Sequence, residues 1–123
     1  MEWENIQSQQ QSLVFIGKAG CGKTTFVKHF APKPALFVTH IDTLKQFNKH
    51  YHKSIIFDDM SFSHWPRETQ IAIVDKEQPR AIHIRYGVAE IPAGIPKYFT
   101  ANRFPFQPND GAIERRIRVI TIN

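Results

Sequence analysis

The chain has one cysteine, Cys21, among 123 residues. One thiol cannot build a disulfide framework or an all-cysteine zinc site within one chain. The expected setting is a reducing intracellular compartment. Long apolar runs are missing too. None approaches the ~20 residues needed to span a bilayer, which excludes a membrane-spanning helix. Residues 1–12 are polar, QSQQQS being their clearest part, and lack the apolar stretch of a signal peptide. They read as a lead-in, with the folded domain expected over residues 13–123. There is no internal repeat, low-complexity tract or Gly/Ser linker.

What is present suits one folded domain. Apolar residues make up 41% and charged residues 22%, which excludes wholesale disorder and a fibrous chain. A chain of this length buries roughly two-thirds of its unfolded surface, enough for one core. Lys and Arg number 16 against 11 Asp and Glu, a net charge of +5. That balance favours an anionic partner such as nucleic acid or nucleotide, although many soluble domains carry as much. The distribution says more. All seven arginines, from Arg67 to Arg118, lie in the second half, while the lysines lie mostly in the first.

Apolar runs and breakers divide the chain. Leu13-Val14-Phe15-Ile16 reads as a buried strand ending at Gly17. Thr24 to Phe30 reads as a helix stopped by Pro32 and Pro34. Leu36 to Val38 is a strand, and Asp42 is placed to cap a short helix through Asn48. Ser54 to Phe57 is a strand ending in Asp58-Asp59. Pro66 suits a first helical position, with the helix expected to reach Glu77. Ala81–Tyr86 and Val88–Ile91 predict a hairpin around Gly87. Lys97 to Ala101 is another core strand. Pro105, Pro108 and Gly111 mark a loop, Asp110 caps a short helix through Arg116, and Ile117 to Ile122 closes the chain as a strand. Strands alternating with helices predict an α/β sandwich with a mostly parallel sheet.

Gly17-Lys18-Ala19-Gly20-Cys21-Gly22-Lys23-Thr24 fits G-x-x-x-x-G-K-[ST] at every fixed position, between a strand and a helix. Glycines let the backbone wrap phosphates with its amides inward, and the helix start adds a positive dipole end. Lys23 is placed for the β- and γ-phosphates and Thr24 for Mg²⁺, with Thr25 beside it. Cys21 reads as a small tolerated residue of the loop. Asp58 ends an apolar strand where a carboxylate holds Mg²⁺ opposite the loop threonine, and Asp59 is the candidate base for an attacking water. Asn102 ends a further strand. It reads as a turn residue unless that strand lies beside the phosphate loop, where it would face the γ-phosphate or the water. Arg115-Arg116 reads as a solvated basic pair or as an arginine offered to a neighbour's γ-phosphate.

In this order and within about 90 residues, the elements resemble a superfamily 3 helicase. More narrowly they resemble the ATPase domain of replication initiator (Rep) proteins of small circular single-stranded DNA viruses, circovirus- or geminivirus-like, and related plasmids. Gly17 to Thr25 resembles the family's Walker A motif, Ile55 to Asp59 its Walker B, and Phe99-Thr100-Ala101-Asn102 its motif C. Arg85-Tyr86-Gly87 and Gly94-Ile95-Pro96 resemble the ends of its B′ motif. Ala112 to Ile117 resembles the arginine-finger segment, with Arg116 the better positional match and Arg115 the alternative. The resemblance spans roughly residues 13–122.

The resemblance implies an AAA+-like sandwich whose five-stranded sheet has the order 5-1-4-3-2, plus a hairpin. It implies a hexameric ring hydrolysing ATP with Mg²⁺ between subunits while hairpins draw single-stranded DNA through a central channel. It further implies a nicking nuclease domain in cis, which residues 1–12 are too short to hold, so the ATPase domain of a longer protein is expected. Localisation follows the family: a host nucleus for a virus of eukaryotes, the cytoplasm for a plasmid. One departure concerns the B′ motif. Where relatives often carry a lysine before the glycine, this chain reads Ile91-Pro92-Ala93-Gly94. Arg85, Lys97 or His83 is the candidate substitute contact for nucleic acid, with a solvated-surface or sheet-packing role as the alternative for each. The alternatives are an RNA-directed helicase of the same superfamily, or a nucleotide-gated DNA-binding and assembly module with little turnover.

Overall fold

A computed structural model describes residues 10–122. Residues 1–9 of the expected lead-in, and residue 123, lie outside this range. Among the described residues seven strands form two sheets. The strands of the larger sheet are β1 (Ser12–Ile16), β2 (Ala35–Val38), β3 (Ser54–Asp58), β6 (Lys97–Ala101) and β7 (Ile117–Thr121). They lie in the order β2-β3-β6-β1-β7, and all four pairings are parallel. The hairpin β4 (Arg80–Ile84) and β5 (Gly87–Ile91) forms a separate antiparallel sheet. The fold is therefore an α/β sandwich with a five-stranded parallel sheet and a hairpin apart from it. Among the described residues no helix is long and apolar enough to cross a membrane.

A parallel sheet with both faces covered needs apolar residues in unbroken runs, and the central strands have them. On β1, Leu13 and Phe15 face a cluster with Val27, Ala31, Ile56 and Tyr98 under the helix α1 (Lys23–Phe30). Val14 faces the larger cluster on the other side. That side is covered by the helix α2 (Arg67–Val74), a 3₁₀ helix (Ile41–Gln46) and the hairpin, which contribute Ile73, Leu44 and Ile82. Phenylalanines hold the loops there. Phe57 stacks on Phe99 at 4.7 Å, Phe62 stacks on Phe106 at 5.3 Å, and Phe62 meets Phe57 and Phe99 edge-on. The segments after β3 and β6 are thereby fixed against the sheet.

Several boundaries differ from expectation, each for a local reason. β1 begins at Ser12, and Gln11 before it donates its side-chain amide to the carbonyls of Arg115 and Ile117. The helix after β2 is 3₁₀ and ends at Gln46, not Asn48. Its cap is His40, whose Nδ1 accepts from the Asp42 amide, so Asp42 lies inside the helix. The Asp42 carboxylate instead accepts from the Arg85 amide at the hairpin tip. Pro66 caps α2 rather than opening it, and α2 stops at Val74. The Asp75 carboxylate takes the amides of Glu77 and Gln78, which turns the chain before Glu77 can join the helix. The hairpin turns at Arg85-Tyr86, with Gly87 already in β5 and Tyr86 carrying the positive φ of 63°. Asp110 caps the short helix α3 (Gly111–Glu114) as expected, accepting from the amides of Ala112 and Ile113.

Phe62 is fully buried and touches four other aromatic rings. Truncating such a side chain costs about 3–5 kcal/mol. Phe62→Ala is expected to lower the urea midpoint accordingly with an unchanged slope, measured by equilibrium unfolding.

Candidate functional site

The carboxyl ends of parallel strands share one edge of the sheet, where α/β proteins bind ligands. β6 lies between β1 and β3. Gly17 follows β1, Asp58 ends β3, and Asn102 follows β6, so the three motifs meet there.

The glycine-rich loop over residues 17–24 owes its shape to its glycines. Gly20 and Gly22 have φ of +82° and +87°, a region that L side chains rarely adopt. Gly17 is required for space. A Cβ there would stand 2.8 Å from both the Cys21 sulfur and the Ile122 carbonyl oxygen. Lys18, Ala19 and Gly20 are exposed at the tip of the loop, and Cys21 is half-buried. The Cys21 amide donates to the Lys18 carbonyl at 3.2 Å and closes the turn. α1 then starts at Lys23 with no acidic residue in its first turn, leaving its positive end uncompensated. Thr25 is exposed one residue past Thr24.

The Gly17 amide donates to the Ala101 carbonyl at 3.1 Å, and two side-chain hydrogen bonds further join the loop to the neighbouring strand ends. Lys23 Nζ donates to Asn102 Oδ1 at 3.0 Å. Thr24 Oγ1 donates to Asp58 Oδ1 at 2.6 Å. The Thr100 hydroxyl also donates to Asp58 Oδ1, at 2.8 Å, and accepts from the Asp59 amide at 3.2 Å. Thr100 is thus a site residue that sequence reasoning used only as part of a motif. Its signal was an aliphatic hydroxyl two residues before Asn102 in a strand that is buried throughout. Asp59 adopts φ of 54°, a left-handed conformation that aspartate tolerates. It lines a cleft of about 390 Å³ with Asn102, Ser61, Ser63, His64 and Arg103.

A carboxylate and a hydroxyl that already face each other are the hard oxygen donors Mg²⁺ takes from protein when phosphates supply other ligands. Thr24 and Asp58 fit that role. Among the described residues no group of three or more His, Cys, Asp or Glu is arranged to hold a metal.

The structure does not bring the arginine pair to this edge. The Arg116 carbonyl accepts from the amide of Ser12, the first residue of β1. The pair therefore lies at the amino end of the strands, about 16 Å from the loop at ~3.3 Å per residue. Arg115 is exposed. Arg116 is held by its own chain: Nη1 donates to the Ala112 carbonyl at 2.7 Å, and Nε lies 3.8 Å from Asp75 Oδ2.

The candidate nucleic-acid contacts separate. Arg85 stands at the hairpin tip with its guanidinium 5.0 Å from the centre of the Tyr86 ring. Tyr86 is 88% exposed. A tyrosine so far out of the core was missed as a candidate, and its signal was its place at a turn beside an arginine. His83 is exposed on β4. Lys97 is a correction. It is 2% exposed, and its Nζ donates to the Asp75 carbonyl at 2.7 Å. As the first residue of the middle strand it is roofed by the end of α2 and meets no outside molecule.

Burial pushes the Lys97 amine down to about 8 against an opposing pull from Asp75. Burial also lowers Lys76 and pushes the Tyr98 hydroxyl up to about 12. Below pH 8 the folded and unfolded chains both hold the Lys97 proton, and the burial penalty acts in full. Between pH 8 and the ordinary lysine value of 10.5, only the unfolded chain holds it, so stability rises with pH. Above the ordinary tyrosine value of 10.0, the unfolded chain sheds a proton that folded Tyr98 keeps, so stability falls. Unfolding free energy is expected to climb from pH 8 to about 10 and then decline. Urea midpoints across that range check this, and Lys97→Met should flatten the climb.

The chain matches no protein-family model, and no curated protein matches it.

Proposed function

We propose that this chain is a nucleotide-driven motor domain of the superfamily 3 helicase kind, hydrolysing ATP at contacts between copies and moving single-stranded DNA. The observation that carries the reading is the meeting of three motifs at one sheet edge. There Lys23 bonds Asn102 and Thr24 bonds Asp58. A glycine-rich turn of purely structural use would not need either bond. The strand order supports the finer assignment to an AAA+-like fold. Numbered among the five parallel strands alone, β2-β3-β6-β1-β7 becomes 5-1-4-3-2 read from its other end.

Each residue then has a task. The loop amides and Lys23 bind the triphosphate, and Lys23 offsets charge on its outer phosphates. Thr24 and Asp58 hold Mg²⁺, which when bound supplies neutralisation of phosphate charge. Thr100 fixes the Asp58 carboxylate through its hydroxyl. Asp59 accepts a proton from the attacking water, and Asn102 orients that water. An arginine at the opposite end of the strands acts only on a second copy's nucleotide. Arg115, exposed and unengaged by its own backbone carbonyls, suits that reach better than Arg116, which is tied to Ala112 and Asp75. The exposed Arg85-Tyr86 tip suits single-stranded nucleic acid: the ring stacks on a base and the cation meets phosphate.

The deciding measurement is ATP hydrolysis over a range of protein concentrations, with and without a single-stranded oligonucleotide. The reading expects a specific rate that climbs with concentration and with DNA. A flat, near-zero rate with intact ATP binding favours the nucleotide-gated module. Lys23→Ala should abolish tight nucleotide binding. Asp59→Asn should keep binding and lose about 10²–10⁴-fold in turnover. Arg115→Ala should spare binding and lose about 10³-fold or more of the assembly-dependent rate. If Arg116→Ala shows that loss and Arg115→Ala does not, the arginine roles are reversed. Tyr86→Ala should weaken oligonucleotide binding by about 1–3 kcal/mol, read by fluorescence anisotropy.

A further inference from the structure

The amino end of the sheet holds a second polar cluster, far from the nucleotide site. At its centre is Asp75, 2% exposed, at the carboxyl end of α2. Its Oδ1 accepts from the amides of Glu77 and Gln78. Its backbone carbonyl accepts from Lys97. Its Oδ2 faces two arginines. Arg80, the first residue of β4, approaches with Nε at 2.8 Å and Nη2 at 2.7 Å. Arg116 approaches the same oxygen with Nε at 3.8 Å. One aspartate thus meets Arg80 and Arg116 through its carboxylate and Lys97 through its backbone carbonyl. Burial alone would raise the Asp75 carboxyl, but the hydrogen bonds from Arg80 and the Glu77 amide hold it below its ordinary value.

Two guanidinium groups cannot both take a close two-bond hold on one carboxylate oxygen. In the arrangement seen, Arg80 holds it and Arg116 stands off. Arg80 begins the hairpin whose tip carries Arg85 and Tyr86. Arg116 ends the segment that carries Arg115. We propose that Asp75 is a positioning residue for which Arg80 and Arg116 compete, so that movement of the hairpin changes the hold on the arginine pair. Drawing β4 outward takes Arg80 from Oδ2 and leaves that oxygen to Arg116. Arg115 shifts with its neighbour. The route is one buried carboxylate. As a link between DNA and hydrolysis it rests on the proposed function; as a shared anchor it stands on the geometry alone.

The anchor is tested on the whole chain by a double-mutant cycle in thermal unfolding, with Arg80→Gln, Arg116→Gln and the pair. Both positions are partly exposed, so the variants avoid stranding a buried carboxylate with no arginine except in the pair. Competition predicts that losing Arg116 lowers Tm by about 2–4 °C more when Arg80 is already gone. Equal losses in both backgrounds overturn the shared anchor. The link is tested by steady-state ATP hydrolysis with and without a single-stranded oligonucleotide. Arg80→Gln should raise the DNA-free kcat toward the wild type's DNA-stimulated value and lose the further stimulation by DNA. Arg80→Lys should restore part of it. A purely structural role would instead lower the DNA-free and DNA-stimulated rates together. Stimulation at the wild-type ratio in Arg80→Gln overturns the link. If the wild type hydrolyses no ATP at any concentration while the cycle shows coupling, the proposed function falls and the shared anchor stands.

Discussion

In an all-parallel sheet every strand delivers its carboxyl end to one edge, and only neighbours along that edge can share a ligand. Here the register of β6 decides who the neighbours are. Asp58 stands level with Thr100, and Ile16 level with Ala101. One residue further along each strand come Gly17, Asp59 and Asn102. A slip of one residue in β6 would turn the Thr100 hydroxyl to the opposite face and leave Asp58 level with Phe99 or Ala101, neither of which has a hydroxyl. The stacked pair Phe57 and Phe99 opposes that slip, because the same register that aligns the rings aligns the polar ends.

α2 gives the other end of the molecule its order. Eight residues of helix span about 12 Å, and each end of α2 is tied to the α3 segment by a carboxylate. At the start, Arg67 donates to both oxygens of Asp110, the residue that caps α3. At the end, Asp75 faces Arg116. The two ties differ in character. Arg67 is half exposed, so water screens its pair and the link contributes little to stability. Asp75 is sealed from solvent, where losing a partner exposes a buried charge to nothing.

Much of the fold was legible because its signals are local. Apolar runs closed by Gly17, by Asp58-Asp59 and by Asn102 mark β1, β3 and β6. Asp110 caps α3 with amides two and three residues on, a distance sequence reading handles well. The glycine-rich turn is local as well. The errors fall where a partner far along the chain decides. Lys97 reads as a surface cation until α2 is laid over it, and its acceptor lies 22 residues away. Asp42 reads as a cap, yet its carboxylate serves the Arg85 amide 43 residues on. α2 reads as running to Glu77 because helical propensity says nothing of an aspartate that turns the chain. Arg115 and Arg116 are adjacent and of one kind in sequence, and only packing makes one exposed and the other held.

The glycine-rich loop contains the chain's single sulfhydryl, half-buried at Cys21. Its sulfur fills the space that a side chain at Gly17 would need. A thiol-reactive dye or spin label therefore attaches at one position only, and that position is in the loop. Site-directed spectroscopy of the loop's motion needs no cysteine removed elsewhere and none introduced.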